Sequence, residues 1–412
     1  MPTTILGYPA EVTKIFRQSF NRVLLEGLGF KTQATWYIDP VNGNDENVGD
    51  TSLRPVKTWN EVLKRRPDGR FSQATTFTFL NDLPSNDPFD LSLWSADPAY
   101  QVNFKGSPTT ISTGTLTSFT ARNPATRTPN QVTDTGRASW SLYISGGYMI
   151  KMTSGAASGF YAYIAKDLGS NAARVSTFFN PVTLTEAVPS AGDTYAIIKM
   201  TAIPRWNIGT VGAGRRYVFD DLDFYSTTIT PNYFSNNGIN FRNCRLYSLP
   251  MAAGIIRYMN CCVDYFQGYN GFALVFAGMG FGATSNRYIE IEHGQQFQVS
   301  DGTLFQGINV EVINDGYIRA YDMAVFDSYA DGIRMHAGGK LRAEKVWGSG
   351  NAGYGINTYG SGQVWLNTSV GTPSITGNSG DVRLNQTTKT WNEIIAAGYL
   401  KDADSSASIS TM

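Results

Sequence analysis

Between Gly316 and Leu366 apolar and polar side chains alternate in short runs, and the runs return at a fixed interval. Gly316-Tyr317-Ile318-Arg319-Ala320 is followed by Gly339-Lys340-Leu341-Arg342-Ala343 and by Gly362-Gln363-Val364-Trp365-Leu366, a step of 23 residues each time. Gly332-Ile333-Arg334-Met335 and Gly355-Ile356-Asn357-Thr358 keep the same step. Period two is that of a strand with one buried face. Clusters such as Gly348-Ser349-Gly350-Asn351 mark the turns between strands. Helical repeats of similar length need about ten residues of helical pattern per unit, and that pattern is missing. The repeat therefore predicts an all-β solenoid, a parallel β-helix in which each coil buries its apolar face only against its neighbours.

The texture continues upstream with looser spacing. Phe219-Asp220-Asp221-Leu222-Asp223-Phe224 aligns with Phe241-Arg242-Asn243-Cys244-Arg245-Leu246 and with Tyr258-Met259-Asn260-Cys261-Cys262-Val263. Stacking these segments predicts Cys244 beside Cys261 or Cys262 in the interior, and Asn243 over Asn260 at a turn, where stacked amides satisfy one another from coil to coil. The cysteines lack zinc-ligand spacing and read as small apolar core residues.

Elsewhere the pattern changes. Residues 9–27 place Val12, Ile15, Phe16, Val23 and Leu24 at helical spacing between Pro9 and Gly27, which predicts a short N-terminal α-helix. Thr58, three residues before Glu61, reads as the cap of a second helix. Residues 101–206 lose the coil repeat. They are rich in Thr, Ser and Gly, and read as a β-rich insertion projecting from an early coil. Thr390 to Ile395 reads as a short helix closing the last coil, ahead of a Ser- and Ala-rich tail. The expected organisation is a helical anchor at 1–34, an opening and capping segment at 35–100, the insertion at 101–206, coils at 207–385, and a cap and tail at 386–412.

The opening segment runs Trp36-Tyr37-Ile38-Asp39-Pro40, then Asn42-Gly43-Asn44-Asp45, Gly49-Asp50-Thr51-Ser52 and Pro55-Val56-Lys57-Thr58-Trp59. This order resembles the start of the pectate-lyase-like right-handed parallel β-helices of bacteriophage tailspikes and related virion proteins. With the coils, the resemblance spans somewhat over half the chain. It implies a right-handed solenoid, a homotrimer, attachment to other virion proteins through the N-terminal segment, and contact with host surface polysaccharide. Fold alone does not assign chemistry. Three functions stay open: a structural tail spike or fibre that recognises host glycan, a polysaccharide depolymerase of the same fold (hydrolase or lyase), and a purely architectural capsid or baseplate protein.

Composition narrows the partners. Lys and Arg number 33, as do Asp and Glu, so there is no electrostatic footprint for nucleic acid. Charged residues make up 16%, well under the usual quarter, which suits a surface partly covered by sister subunits. No apolar run approaches the roughly 18 residues of a membrane span, so no membrane insertion is expected. The opening Met1-Pro2-Thr3-Thr4 has no secretory signal pattern, which fits assembly in a host cytoplasm and a place in the virion.

For chemistry, glycoside hydrolysis needs two carboxyl groups about 5–9.5 Å apart, and a lyase needs a base and an anion-stabilising group. The best candidates are Asp327 and Asp331 with Arg334 and His336, the last two on one side of a strand by alternation. Solvated turn carboxylates and a surface histidine are the plainer alternative. Tyr329, Tyr354, Tyr359 and Trp365 are candidates for stacking on sugar rings or packing against a sister chain. Asp39, Asn42, Asn44 and Asp45 carry enough oxygens for Ca²⁺ but also suit Asx turns. No metal and no cofactor is expected.

Overall fold

The computed structural model of the 412-residue chain describes residues 34–66, 71, 73–92, 94, 100–144, 147–207, 216–224, 239–252, 255–269, 272–281, 288–292, 296–336, 338–359, 362–366, 374–384, 389–391, 400–403 and 408–410. Strands dominate, in two long parallel sheets, one antiparallel sheet and a two-stranded parallel pair of Phe89–Asp90 with Trp206–Asn207. Sheet I has 13 strands, from Thr35–Ile38 to Ser408–Ser410, in chain order apart from the visits to other sheets. Sheet II has 15 strands and forks at Cys262–Tyr269. Its first residues pair with Met279 and Gly280, its last with Ile289 to Glu292. Beyond the fork, as far as Gly380–Leu384, each circuit of the chain adds one strand to sheet I and two to sheet II. Tyr317–Ala320, Met323–Phe326 and Ile333–Met335 make one circuit, and Lys340–Ala343, Val346–Asn351 and Tyr354–Thr358 the next.

The step read from the sequence is the register of these sheets. Ile318 lies opposite Leu341, Leu341 opposite Val364, and Ile333 opposite Ile356. Alternation places all of these inside, where they join a single apolar column running from Trp36 to Val382. At the N-terminal end of the column sheet I stacks rings in register. Trp36, Phe77, Phe104, Phe219, Phe241 and Tyr258 follow one another with centroids 6.1, 5.5, 5.1, 4.9 and 5.7 Å apart. Trp59, from the helix Trp59–Arg65, closes over Phe77, Phe89, Trp94 and Phe104. Thr58 caps that helix by accepting from Glu61 N, as expected.

Where the chain leaves five successive strands of sheet I, the next residue is left-handed. Asp221, Asn243, Asn260, Ala277 and Asp301 have φ of 59°, 50°, 52°, 48° and 54°. Asn and Asp tolerate this region better than most residues. They also link the circuits: Asn260 Nδ2 donates to Asn243 Oδ1 at 2.9 Å, and Asn243 Nδ2 to Asp221 Oδ1 at 3.0 Å. The predicted amide ladder is present. Asn260→Ala should lose both the left-handed preference and a buried hydrogen bond, about 2–3 kcal/mol together. Asn260→Gly keeps the backbone freedom and should lose about 1 kcal/mol. Urea unfolding of the two variants separates the terms, and equal losses would show that backbone strain has no part in the effect.

All three cysteines are free and buried. Cys244 lies against Cys261 in the main column, whereas Cys262, the next residue, faces the other side of sheet II. Period-two alternation separates the adjacent pair.

Two expectations need correction. Gln101–Gly106 belongs to sheet I, paired with Thr75–Phe79 and Arg216–Asp220. Thr201–Ala202 pairs with Leu222 and Asp223 in sheet II. The inserted strands therefore run from Thr109 to Lys199. They form the antiparallel sheet III, and it does not project away. One of its faces has a core of its own, including Trp140, Ile150, Ile164 and Ile197. The other lays Met149, Tyr163, Ala196 and Ile198 on Cys262, Met279, Leu304, Ala324, Phe326 and Trp347, the outward residues of sheet II. An antiparallel sheet with two apolar faces must be covered on both.

At the C-terminal end, Thr390 and Trp391 lie in the strand Lys389–Trp391 rather than starting a helix. Leu400–Ala403 and Ser408–Ser410, read as tail, extend sheets II and I. The anchor helix of residues 9–27 lies outside the described residues.

Candidate functional site

Sheet II presents a row of in-register side chains on its outer face: Glu311, Arg334, Asn357 and Arg383. Adjacent parallel strands bring such residues to about 4.8 Å, so opposite charges in one row bind directly. Arg334 Nη1 lies 3.3 Å from Glu311 Oε1, and its Nε donates to Asp331 Oδ2 at 3.0 Å. Asn309 Nδ2 holds the same Glu311 oxygen at 2.6 Å. One guanidinium thus clamps two carboxylates, and their attraction outweighs the burial that would otherwise discharge it, so its pKa is raised.

Asp331 is only 5% exposed at its side chain. Its Oδ1 accepts from Tyr354 N at 2.8 Å, and its Oδ2 accepts from Asn357 Nδ2 at 3.0 Å as well as from Arg334. It is a bracket between circuits and presents no open face to a substrate.

His336 sits beside this clamp. Its Nε2 is 4.0 Å from Glu311 Oε2, and its ring stacks on Tyr359 at 5.4 Å and 15°. Burial holds its pKa below the usual histidine value, Glu311 opposing and Arg334 assisting. The folded protein therefore prefers neutral His336. The unfolded chain binds more protons as pH falls through about 6.5, so stability declines over that window and the loss is complete below the folded pKa. Tm measured at pH 7.5 and 5.5 should fall more in the wild type than in His336→Gln, and equal falls would refute the assignment.

Asp327 is not part of this cluster. At φ 54° it turns toward sheet III, where Lys166 Nζ lies 2.8 Å and Arg174 Nη1 2.9 Å from Oδ2. Gln306 Nε2 donates to the same oxygen at 2.9 Å. Burial would raise its pKa, but these donors and cations hold it below the usual carboxylate range. Asp322 forms a second bracket nearby, receiving Arg122, Lys345 at 3.2 Å and Trp347 Nε1 at 3.1 Å. Arg122 also pairs with Glu186 at 3.0 Å. These contacts fasten sheet III to sheet II.

Of the four residues proposed for catalysis, Asp331, Arg334 and His336 come together and Asp327 stands apart. Glu311 completes the cluster and is not among the expected residues. The signal was present, since one 23-residue step back from Arg334 arrives at Glu311. Among the aromatic candidates, Tyr359 and Tyr354 border the cluster. Tyr359 Oη accepts from Asn357 Nδ2 at 2.8 Å, and the Arg383 guanidinium lies 5.4 Å from the Tyr354 ring. Tyr329 and Tyr359 are exposed at 37% and 36%. Trp365 lies on sheet I opposite Arg342, on a different face.

The Asp39 to Asp45 loop works as turns. Asp39 accepts from Val41 N, Asn42 N and Asn81 Nδ2, and Asp45 from Lys57 N, Thr58 N and Thr58 Oγ1. Burial would raise the Asp39 pKa, but hydrogen bonds led by Asn42 leave it lowered. Among the described residues no group of His, Cys, Asp or Glu is placed to hold a metal ion, and no helix is long and apolar enough to cross a membrane.

No family model matches the chain, and no curated protein matches it significantly.

Proposed function

We propose that the chain is a structural component of a phage or phage-like particle, a trimeric spike or fibre that recognises host surface glycan. In this reading the stacked circuits form a right-handed parallel β-helix, because parallel strands of one sheet joined by crossovers are right-handed in about 98% of cases. Residues 1–34 serve as the particle anchor. The opening motif and the low charge support the assignment to a virion appendage.

One observation carries the recognition reading: an exposed tyrosine, Tyr359, stacked on His336 and held by Asn357 beside the Arg334 clamp. A ring fixed by its neighbours loses little entropy on stacking against a sugar. The arrangement favours binding over hydrolysis, because Asp331 is enclosed and Asp327 is engaged by sheet III.

Two measurements test it. Light scattering should give the mass of a trimer, and a monomer at micromolar concentration contradicts the spike. Host polysaccharide should bind without release of reducing ends or unsaturated uronates, and Tyr359→Ala should weaken binding about tenfold, or 1.4 kcal/mol. Unchanged binding by that variant refutes the site, and new sugar ends show an enzyme instead.

A further inference from the structure

Sheet III carries a groove of its own, open to solvent over roughly 630 Å³ and lined by residues that include Ser112, Thr113, Gly114, Asp134, Arg137 and Leu142. Its central group is Arg137. The guanidinium carbon lies 4.9, 5.3 and 5.5 Å from the ring centroids of Trp140, Tyr143 and Tyr195. Nε donates to Tyr195 Oη at 2.9 Å, and Nη2 to Ser112 Oγ at 3.0 Å. The side chain is therefore immobilised before any ligand arrives.

The nearby carboxylate does not neutralise it. Asp134 Oδ2 accepts from Tyr195 Oη at 2.6 Å, and its Oδ1 from Gly136 N at 2.8 Å. Gly114 makes room for this bracket, since a Cβ there would meet Asp134 Oδ2 and Tyr195 Oη at 2.5 Å. Among the described residues Arg137 makes no ion pair, and besides Tyr195 and Ser112 its guanidinium meets the hydroxyl of Tyr143. The groove thus offers a fixed cation with no carboxylate partner and with more N–H donors than its three hydroxyl neighbours use, and a guanidinium of this kind takes a carboxylate in charge-assisted hydrogen bonds. Alternation turns Thr113 and Thr115 to the face opposite Ser112 and Gly114, so the guanidinium is bordered by the Ser112 hydroxyl and the exposed side chain of Leu142. A peptide strand adding to the edge strand Thr109–Thr115 fits less well. That strand bulges at Ile111, where the register steps from Ser112 to Thr110, and a bulge twists an edge away from further pairing.

We propose that this groove binds a carboxylated sugar: the carboxylate on Arg137, a hydroxyl on Ser112, and an apolar sugar face on Leu142. The choice of a sugar rests on the glycan reading above. The groove is a second site, distinct from Tyr359.

The test is calorimetry of the full chain with oligogalacturonate and with the same oligomer after reduction of its carboxyl groups. The acidic oligomer should bind, and the reduced one about tenfold more weakly or not at all. Arg137→Gln should weaken acidic-oligomer binding by a similar factor. Because Arg137 also braces Trp140 and Tyr195, Leu142→Glu provides the second variant: Leu142 is 78% exposed, so the change repels an anion at the rim without disturbing the fold. Arg342→Gln removes the same charge from sheet I and should leave binding unchanged.

Equal binding of the reduced oligomer, no binding of the acidic one, or full binding by Leu142→Glu overturns the proposal. An equal loss in Arg342→Gln reveals general attraction to cations, and tighter binding of a peptide with a free C-terminal carboxylate makes the groove a peptide site. Either result also overturns it. Glycan binding lost in Tyr359→Ala but intact in both groove variants would remove this site and leave the proposed function standing.

Discussion

Phe104→Ala should destabilise the protein by about 3–5 kcal/mol, the usual cost of deleting a fully buried aromatic side chain. Phe104 is 0% exposed and lies between Phe77 and Phe219, nearly parallel to both at 15° and 16°. Phe89 and Tyr217 meet it edge-on at 5.1 and 5.6 Å. Offset stacks and edge contacts of this kind add about 0.5–1.5 kcal/mol per pair beyond the area they bury. The position also matters topologically. Gln101–Gly106 is the last strand of sheet I before the excursion through sheet III, and Arg216–Asp220 is the next. The Phe104–Phe219 contact therefore helps close the longest loop in the stack. Phe104→Leu restores most of the apolar volume without the ring and should cost about half as much. Urea unfolding followed by far-UV circular dichroism measures both, and a loss under about 1 kcal/mol for the alanine variant would mean that the ring column does not hold the sheet together.

Asp327→Ala should loosen sheet III from sheet II at a cost of about 3 kcal/mol, because it leaves Arg174 and Lys166 without their common partner in a partly enclosed seam. The Arg174 side chain is only 11% exposed and lies over the Phe326 ring at 4.4 Å, so water cannot easily replace the lost carboxylate. Limited trypsin digestion should then cut at Lys166 and Arg174 while the parallel sheets resist. The pH dependence has a definite sign. Asp327 is held below its ordinary pKa of 3.8, so its contribution is fully present above that value and disappears as pH falls through the folded pKa. Asp327→Ala should lack this acid-dependent component. A variant with wild-type stability and protease resistance would show that the seam is held by its apolar contacts alone.

The parallel register was legible because three features agree at each circuit: a leading glycine, inward residues at every second place, and a polar turn. Even the irregular steps from Phe219 to Phe241 to Tyr258, and the ladder of Asn243 and Asn260, followed from aligning segments. Gln101–Gly106 reads as part of the insertion because, although Thr75–Phe79 pairs with it from upstream, its next partner Arg216–Asp220 lies beyond the whole of sheet III. The docking of sheet III was invisible for a different reason. Leu304, Ala324 and Phe326 point outward from strands whose four residues are all buried, so period two is masked and the runs look like fully enclosed strands. The site was half legible for the same kind of reason. Arg334 and His336 share a strand face, which alternation predicts, but the direction of Asp327 depends on Lys166 and Arg174 in a separate sheet. No local pattern encodes that contact.

The two ends of sheet III meet. Ser107 N donates to Thr201 Oγ1 at 2.8 Å, and a Cβ on Gly106 would touch Thr201 at 2.9 Å. In connectivity the segment between them is a cassette: a chain joined directly from Gly106 to Thr201 would keep Gln101–Gly106 and Arg216–Asp220 as neighbours. The surface beneath sets the opposite condition. Removing the cassette would bare Met279, Leu304, Phe326 and Trp347 together and leave Asp322 and Asp327 without their arginines. Any replacement module has to bring a matching apolar face and cations for both carboxylates, so what can be grafted onto this scaffold is limited by the footprint left behind and hardly at all by the length of the graft.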